Sequence, residues 1–273
     1  MYEVKDRVPN FDLNPYIEIK DTISYGGSAT IVSELKKQFD PNKKMVVTFD
    51  YYHGVDEKKL YDEIISQLDA DLLIDTNEIK YPEEIISKKF HQFITDDRVN
   101  GVLCTCKIEE FFDEELIKQA NEKIANANGL VVVYGVAASV VNKGDVLVYC
   151  NLEIQEVKRR YGKGLDNWGA KNYDEEFLRK EKRYTFLEGR VQEWHKRPLL
   201  ESLDYMIDCN NPEYPIMISG DTFRHVMDEF VNRPFKCVPF FNPGIWGGHW
   251  IKKGIGAGQD LPNTAWGITG IID

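Results

Sequence analysis

From Lys44 onward, short apolar runs of strand length alternate with longer segments whose apolar residues recur at helical spacing, and few folds satisfy that alternation. Met45-Val46-Val47-Thr48-Phe49 reads as a buried strand, and Leu60, Ile64, Ile65 and Leu68 then share one helical stripe. Leu72-Leu73-Ile74 is a further short apolar run. Pro82 suits a first helical turn, and Ile85, Ile86, Phe90, Phe93 and Ile94 follow it at helical spacing. Gly101-Val102-Leu103-Cys104 predicts a third strand. Leu116, Ile117, Ala120, Ile124 and Ala127 predict a third helix, closed by Asn128-Gly129. Leu130 to Gly135 is the clearest buried strand, and Asp145 to Tyr149 follows too soon for a crossover helix between them. Tyr205 to Asp208 and Pro215 to Ser219 predict two more strands. A last helix carries Phe223, Val226, Met227 and Phe230 on one face. The expectation is an α/β domain with a mainly parallel sheet covered by helices on both faces.

That domain is expected to span residues 1–234. Beyond it, apolar periodicity stops, and eight of the twenty glycines and three of the five tryptophans lie from Gly244 onward. Residues 235–273 therefore read as a linker and the incomplete start of something new, too short for a core of its own. The formal charge of −11 argues against a nucleic-acid partner, which needs a basic footprint. No apolar run approaches the roughly 20 residues of a membrane span, and Met1 to Asp6 lacks the layout of a signal peptide. Five cysteines, an odd number, fit a reducing compartment, so a cytoplasmic location is expected. Cys104 and Cys106 read as core residues facing opposite sides of a strand.

Ligands of open parallel sheets sit beyond the carboxyl ends of the strands. The first such loop, Asp50-Tyr51-Tyr52-His53-Gly54-Val55-Asp56, has one glycine and two aspartates, and Lys58 and Lys59 come a turn late. It cannot serve as a phosphate-cradling loop. His53 is a candidate acid–base group there, or a loop histidine without a chemical task. Gly135 ends the central strand, where a glycine admits either a ligand or tight packing. Arg159, Arg160 and Lys163 can clamp a phosphorylated ligand, or form a solvated face paired with Glu153 and Glu156. Asp174 to Arg183 reads as a surface helix. Trp194-His195-Lys196-Arg197-Pro198 can hold an anion, though no spacing demands it. No spacing of metal ligands and no nucleophile elbow occurs, so neither a metal ligand nor a catalytic residue is assigned. Gly254-Ile255-Gly256-Ala257-Gly258 lacks the surroundings of a dinucleotide fingerprint.

The segment Pro239 to Trp250, with Trp246-Gly247-Gly248 at its centre, and Pro262-Asn263-Thr264-Ala265-Trp266 resemble the entry segment of class I mannose-6-phosphate isomerase-like proteins. The likeness is to a long bacterial form, in which a large α/β region precedes the cupin isomerase domain. Asn151 to Gln155, Gly164 to Gly169, Arg190 to Pro198 and Asp204 to Asp208 are similar to that preceding region. The region in turn looks like a degenerate P-loop kinase of the uridine-kinase type, with Arg159 and Arg160 where such kinases carry lid arginines. The resemblance implies interconversion of mannose 6-phosphate and fructose 6-phosphate at a metal, typically zinc, held by His, Gln and Glu of the cupin barrel. Those ligands are expected beyond Asp273, leaving residues 1–273 a structural or regulatory part. The alternative is a nucleotide- or sugar-phosphate-binding kinase-like module. A homo-oligomer is compatible with either.

Overall fold

The computed structural model describes residues 18–40 and 42–232, so residues 235–273, with the Trp-Gly-Gly segment, lie outside the described residues. Residues Thr22–Arg224 form one compact unit. Its elements in chain order are β1 (Ser24–Gly26), α1 (Ser28–Lys36), β2 (Met45–Tyr51), α2 (Glu57–Glu63), β3 (Leu72–Asp75), α3 (Glu83–Ile94), α4 (Glu114–Asn126) and β4 (Leu130–Val136). There follow α5 (Ala138–Val141), β5 (Val146–Asn151), α6 (Ile154–Tyr161), α7 (Phe177–Arg183), α8 (Gly189–Leu200), β6 (Tyr205–Asp208) and β7 (Ile216–Ser219). The last helix, α9, is Gly220–Val231. None of the described helices is long and apolar enough to cross a membrane.

Local chemistry fixes several starts. The Asp56 carboxylate accepts from the Lys59 backbone N–H and caps α2, and Asp113 caps α4 through Glu115 and Leu116. Pro82 sits at the N-cap of α3. Helix α2 stops at Ile64, whose φ of −120° breaks the α-geometry, and a 3₁₀ turn from Ile65 to Leu68 completes the apolar stripe.

The seven strands lie in the order β1-β7-β6-β5-β2-β4-β3. The five strands β6-β5-β2-β4-β3 run parallel, and β7 runs antiparallel between β6 and β1. β2 is the centre, paired with β4 from Met45↔Leu130 to Tyr51↔Val136 and with β5 from Val47↔Val146 to Tyr51↔Cys150. Val131, Val132 and Val133 are all buried although successive side chains point to opposite faces, so both faces of the sheet are covered.

Three expectations are corrected. Residues 101–107 form no strand: Val102 N–H bonds Phe93 O and Cys104 N–H bonds Phe186 O, so the segment follows helical neighbours instead of a sheet edge. Val102 and Leu103 are accordingly half exposed, at 53% and 49%, whereas a buried strand would cover them. Cys104 is nonetheless a core residue, and burial pushes its thiol up to about 12.

Secondly, β4 and β5 are joined by a helical crossover. They flank β2 on opposite sides, and the single turn of α5 with an extended return suffices. The return is stitched across β2 by Thr48 Oγ1 donating to Asn142 O (2.8 Å) and by Val46 N–H donating to Asp145 Oδ2 (2.8 Å). Small residues, Ala137 and Ala138, keep the turn close to the sheet.

Thirdly, the charged stretch expected to form a surface helix is exposed over residues 174–179 but turns into the core at Lys180 and Lys182. Lys180 and Lys182 are buried. Lys180 Nζ donates to Leu165 O (3.0 Å) and Tyr173 O (2.6 Å), and Lys182 Nζ donates to Thr95 O (2.9 Å) and to Asp97 O. Each ammonium ties a loop to α7. Replacing Lys180 with Met leaves two carbonyls without their charged donor, and a loss of about 2 kcal/mol is expected in urea unfolding.

Candidate functional site

The connection after β2 leads toward β3 and that after β5 leads toward β6, so two neighbouring strands send their chains in opposite directions. At such a divergence an open α/β sheet forms its ligand crevice, beyond the carboxyl ends. Here that place is filled. Tyr51, Tyr52, His53 and Val55 are buried, and Tyr52 N–H continues the ladder to Cys150 O (2.9 Å). Gly54 has φ +90°, and a Cβ on it would stand 3.1 Å from Leu165 and 3.2 Å from Leu152. Arg160 holds the loop from outside: its Nη1 donates to Gly54 O (2.7 Å), its Nη2 to Cys209 O and Asn210 O (3.3 Å each), and its Nε to Glu156 (2.7 Å). Beside the loop, Ser28, Asp56, Lys59, Glu63 and Cys209 enclose about 10 Å³, the room of one water.

His53 hangs in a polar core. Its backbone N–H donates to Gln192 Oε1 (2.8 Å), and its ring Nε2 lies 2.8 Å from the Tyr161 hydroxyl. That hydroxyl accepts from Asn167 Nδ2 (3.0 Å), which leaves its own proton for the imidazole. Burial, with Lys80 and Arg183 adding positive charge, pushes the His53 pKa down to about 3, so the ring is neutral near pH 7. Arg183 and Glu188 form a buried ion pair nearby.

Helix α8 lies across the same strand ends. It continues α7 through a π-helical turn, Tyr184–Glu188, a geometry that recurs at functional sites. Tyr184, Gln192, His195 and Lys196 recur near every fourth residue and so share a stripe along this rod. The Tyr184 hydroxyl meets that of Tyr52 at 2.5 Å, and His195 Nε2 donates to Asp50 Oδ2 at 2.9 Å. Lys196 Nζ donates to Asn151 Oδ1 (2.7 Å) and sits over the rings of Tyr52 and Tyr149, at 5.3 and 5.8 Å from their centroids. Burial lowers the Lys196 pKa against the pull of Glu193.

Asp50 is wholly buried. Its Oδ2 accepts from Ser139 N–H (2.9 Å), Ser139 Oγ (2.5 Å) and His195, while its Oδ1 has no hydrogen-bond partner among the described residues. Ser139 is presented by a strained turn after β4, with Ala137 at φ +57°. The cluster offers hydrogen bonds of both senses and a cation beside aromatic faces.

A family model matches residues 27–232, from the start of α1 to the end of α9, and its description is a domain of unknown function, DUF8485. The chain belongs to the DUF8485 family. No curated protein matches the sequence.

In this DUF8485 domain the residues expected from sequence part company. His53 and Arg160 meet on the β2 loop, both committed to protein partners. Arg159 is exposed and paired with Glu156 (2.5 Å), and Lys163 is exposed one turn on. Gly135, at φ +121°, faces Thr76 Oγ1. Sequence reasoning missed Asp50, Ser139 and Asn151. The one legible signal was Asp50 itself, a carboxylate ending an apolar strand. Of the segment Trp194 to Pro198, which can hold an anion on sequence alone, His195 and Lys196 bind a carboxylate and an amide in the DUF8485 domain. Among the described residues no group of three His, Cys, Asp or Glu is arranged to hold a metal ion, so the zinc implied by the family resemblance finds no ligand set in them.

Proposed function

We propose that this domain is the kinase-like front region of a mannose-6-phosphate isomerase-like protein and that its task is structural or regulatory. Isomerisation of the sugar phosphate, with its zinc, would belong to a cupin domain beyond Asp273. The observation that carries this reading is the packed loop after β2. A kinase of this shape needs free backbone amides there for phosphate, and here Tyr52 and His53 fill the space while Arg160 is spent on Gly54 O. The position of β2, central among five parallel strands, supports the kinase likeness, as does the Trp246-Gly247-Gly248 segment.

A second reading, a binding module for a nucleotide or sugar phosphate, is favoured by the polar cluster of Asp50, Ser139, Asn151 and Lys196 at the strand ends. One experiment separates them. The 273-residue protein is heated with millimolar ATP, UTP, mannose 6-phosphate or fructose 6-phosphate, with and without zinc. No change in Tm and no isomerase turnover are expected. A ligand at 100 times its Kd would add about 2.7 kcal/mol, so a clear rise with any of the four favours the binding module. Turnover by these residues alone would sink the proposal that the chemistry lies elsewhere.

A further inference from the structure

The polar stripe of α8 and the π-turn before it holds four strand-end groups, yet the four contacts differ in kind. Tyr52 and Tyr184 both have hydroxyl pKa values pushed up by burial, so their contact stays neutral. Gln192 carries no charge, and Lys196 is satisfied by the Asn151 amide. Only the His195–Asp50 contact joins a fully buried carboxylate to a group that titrates near neutrality. The groups facing His195 are Asp50 from β2, Ser139 from α5 and Glu109 from the 3₁₀ turn Ile108–Phe111, while the neighbouring Lys196 turns to Asn151.

We propose that α8 is a proton-operated strap over the strand ends: protonated His195 clamps it to Asp50, and loss of that proton loosens it. The physical reason is the isolation of Asp50. With His195 charged, the buried carboxylate has a facing cation and two donors from Ser139. With His195 neutral, the same carboxylate keeps its hydrogen bonds but no opposing charge, a costly state away from water. Burial alone would lower the His195 pKa, but the charge and hydrogen bond of Asp50, with Glu109, outweigh it and leave a net rise. A raised value in the folded state means that the clamp is complete below the unfolded pKa of about 6.5 and is lost as pH climbs through the folded value.

Three features suit the movement. The strap begins at the π-turn, where the backbone ladder is already irregular. Pro198 lies inside α8 near its far end and removes one ladder bond. Trp194, 65% exposed, sits beside His195. Loosening would uncover Asp50, Ser139 and Asn151, the polar groups of the strand-end cluster. The strap holds whether or not the domain stands before an isomerase.

The test is hydrogen exchange on the 273-residue protein between pH 5.5 and 8.5, corrected for intrinsic exchange, with β4 amides as the internal reference. Protection of residues 189–200 relative to β4 is expected to fall severalfold across that range as the proton leaves His195. In His195→Gln the ratio should be low and flat. Ser139→Ala, which takes a donor from Asp50 and leaves the histidine in place, should move the midpoint to higher pH. A wild-type ratio that does not change with pH would overturn the strap, whether or not the variants fold. So would an equal change in His195→Gln.

Discussion

Gly135→Ala is expected to lower the unfolding free energy by about 3 kcal/mol. Gly135 ends the central run of β4 at φ +121°, a region open to glycine and strained for any other residue by about 1–3 kcal/mol. An added Cβ would also stand 2.1 Å from Thr76 Oγ1, well inside contact distance. Thr76 is buried, and its hydroxyl donates to Val136 O (3.2 Å), so it cannot swing away freely. Overpacking of this kind adds a similar cost. Urea unfolding of the variant measures the sum, and Gly135→Ala with Thr76→Ala separates its parts. The double variant should recover the clash but not the backbone strain. A single variant as stable as the parent would mean that Gly135 and the 3₁₀ turn at Thr76 do not approach as described, and would reopen the strand end to a ligand.

Acidification should destabilise the protein through His53 in particular. Folded, the ring keeps a pKa of about 3, while the unfolded ring protonates near 6.5. Between those values the unfolded chain binds the extra proton, so this contribution is present above pH 6.5 and is lost as pH falls toward 3. Each pH unit removes about 1.4 kcal/mol, giving about 5 kcal/mol in full. His195 has the opposite sign, since its clamp is complete at low pH, so the two histidines bend the stability curve in opposite directions. Urea unfolding from pH 7 to pH 4 should show a steeper decline in the parent than in His53→Gln. Parallel curves would show that the His53 ring takes up protons in the folded state as readily as in water.

Much of the sheet could be read from sequence because buried parallel strands are written as unbroken apolar runs. Met45 to Phe49 and Leu130 to Gly135 carry that mark, and both lie at the centre of the sheet. Val102-Leu103 carries it falsely, since two exposed apolar residues beside a buried cysteine look the same in one dimension. The edge strand β1 is three residues long and gives no periodicity at all. Lysines 180 and 182 misled for a different reason. A charge run is normally solvated, and nothing local reveals that the carbonyls of Leu165, Tyr173 and Thr95 wait for an ammonium. The strand-end cluster was the least legible part. Asp50, Ser139 and His195 are separated by 89 and 145 residues from one another's partners along the chain, and only the short crossover through α5 and the lie of α8 bring them together.

The placement of β2 also sets a timetable. Its backbone is complete at Tyr51, but the strands that cover its two edges begin only at Leu130 and Val146. On a ribosome adding about 5–20 residues per second, this central strand would wait about 4–16 seconds for its first native neighbour. During that interval its amides and carbonyls are a template for any other extended chain. Nascent-chain yield should therefore depend on what shelters residues 45–51 before residue 130 is made.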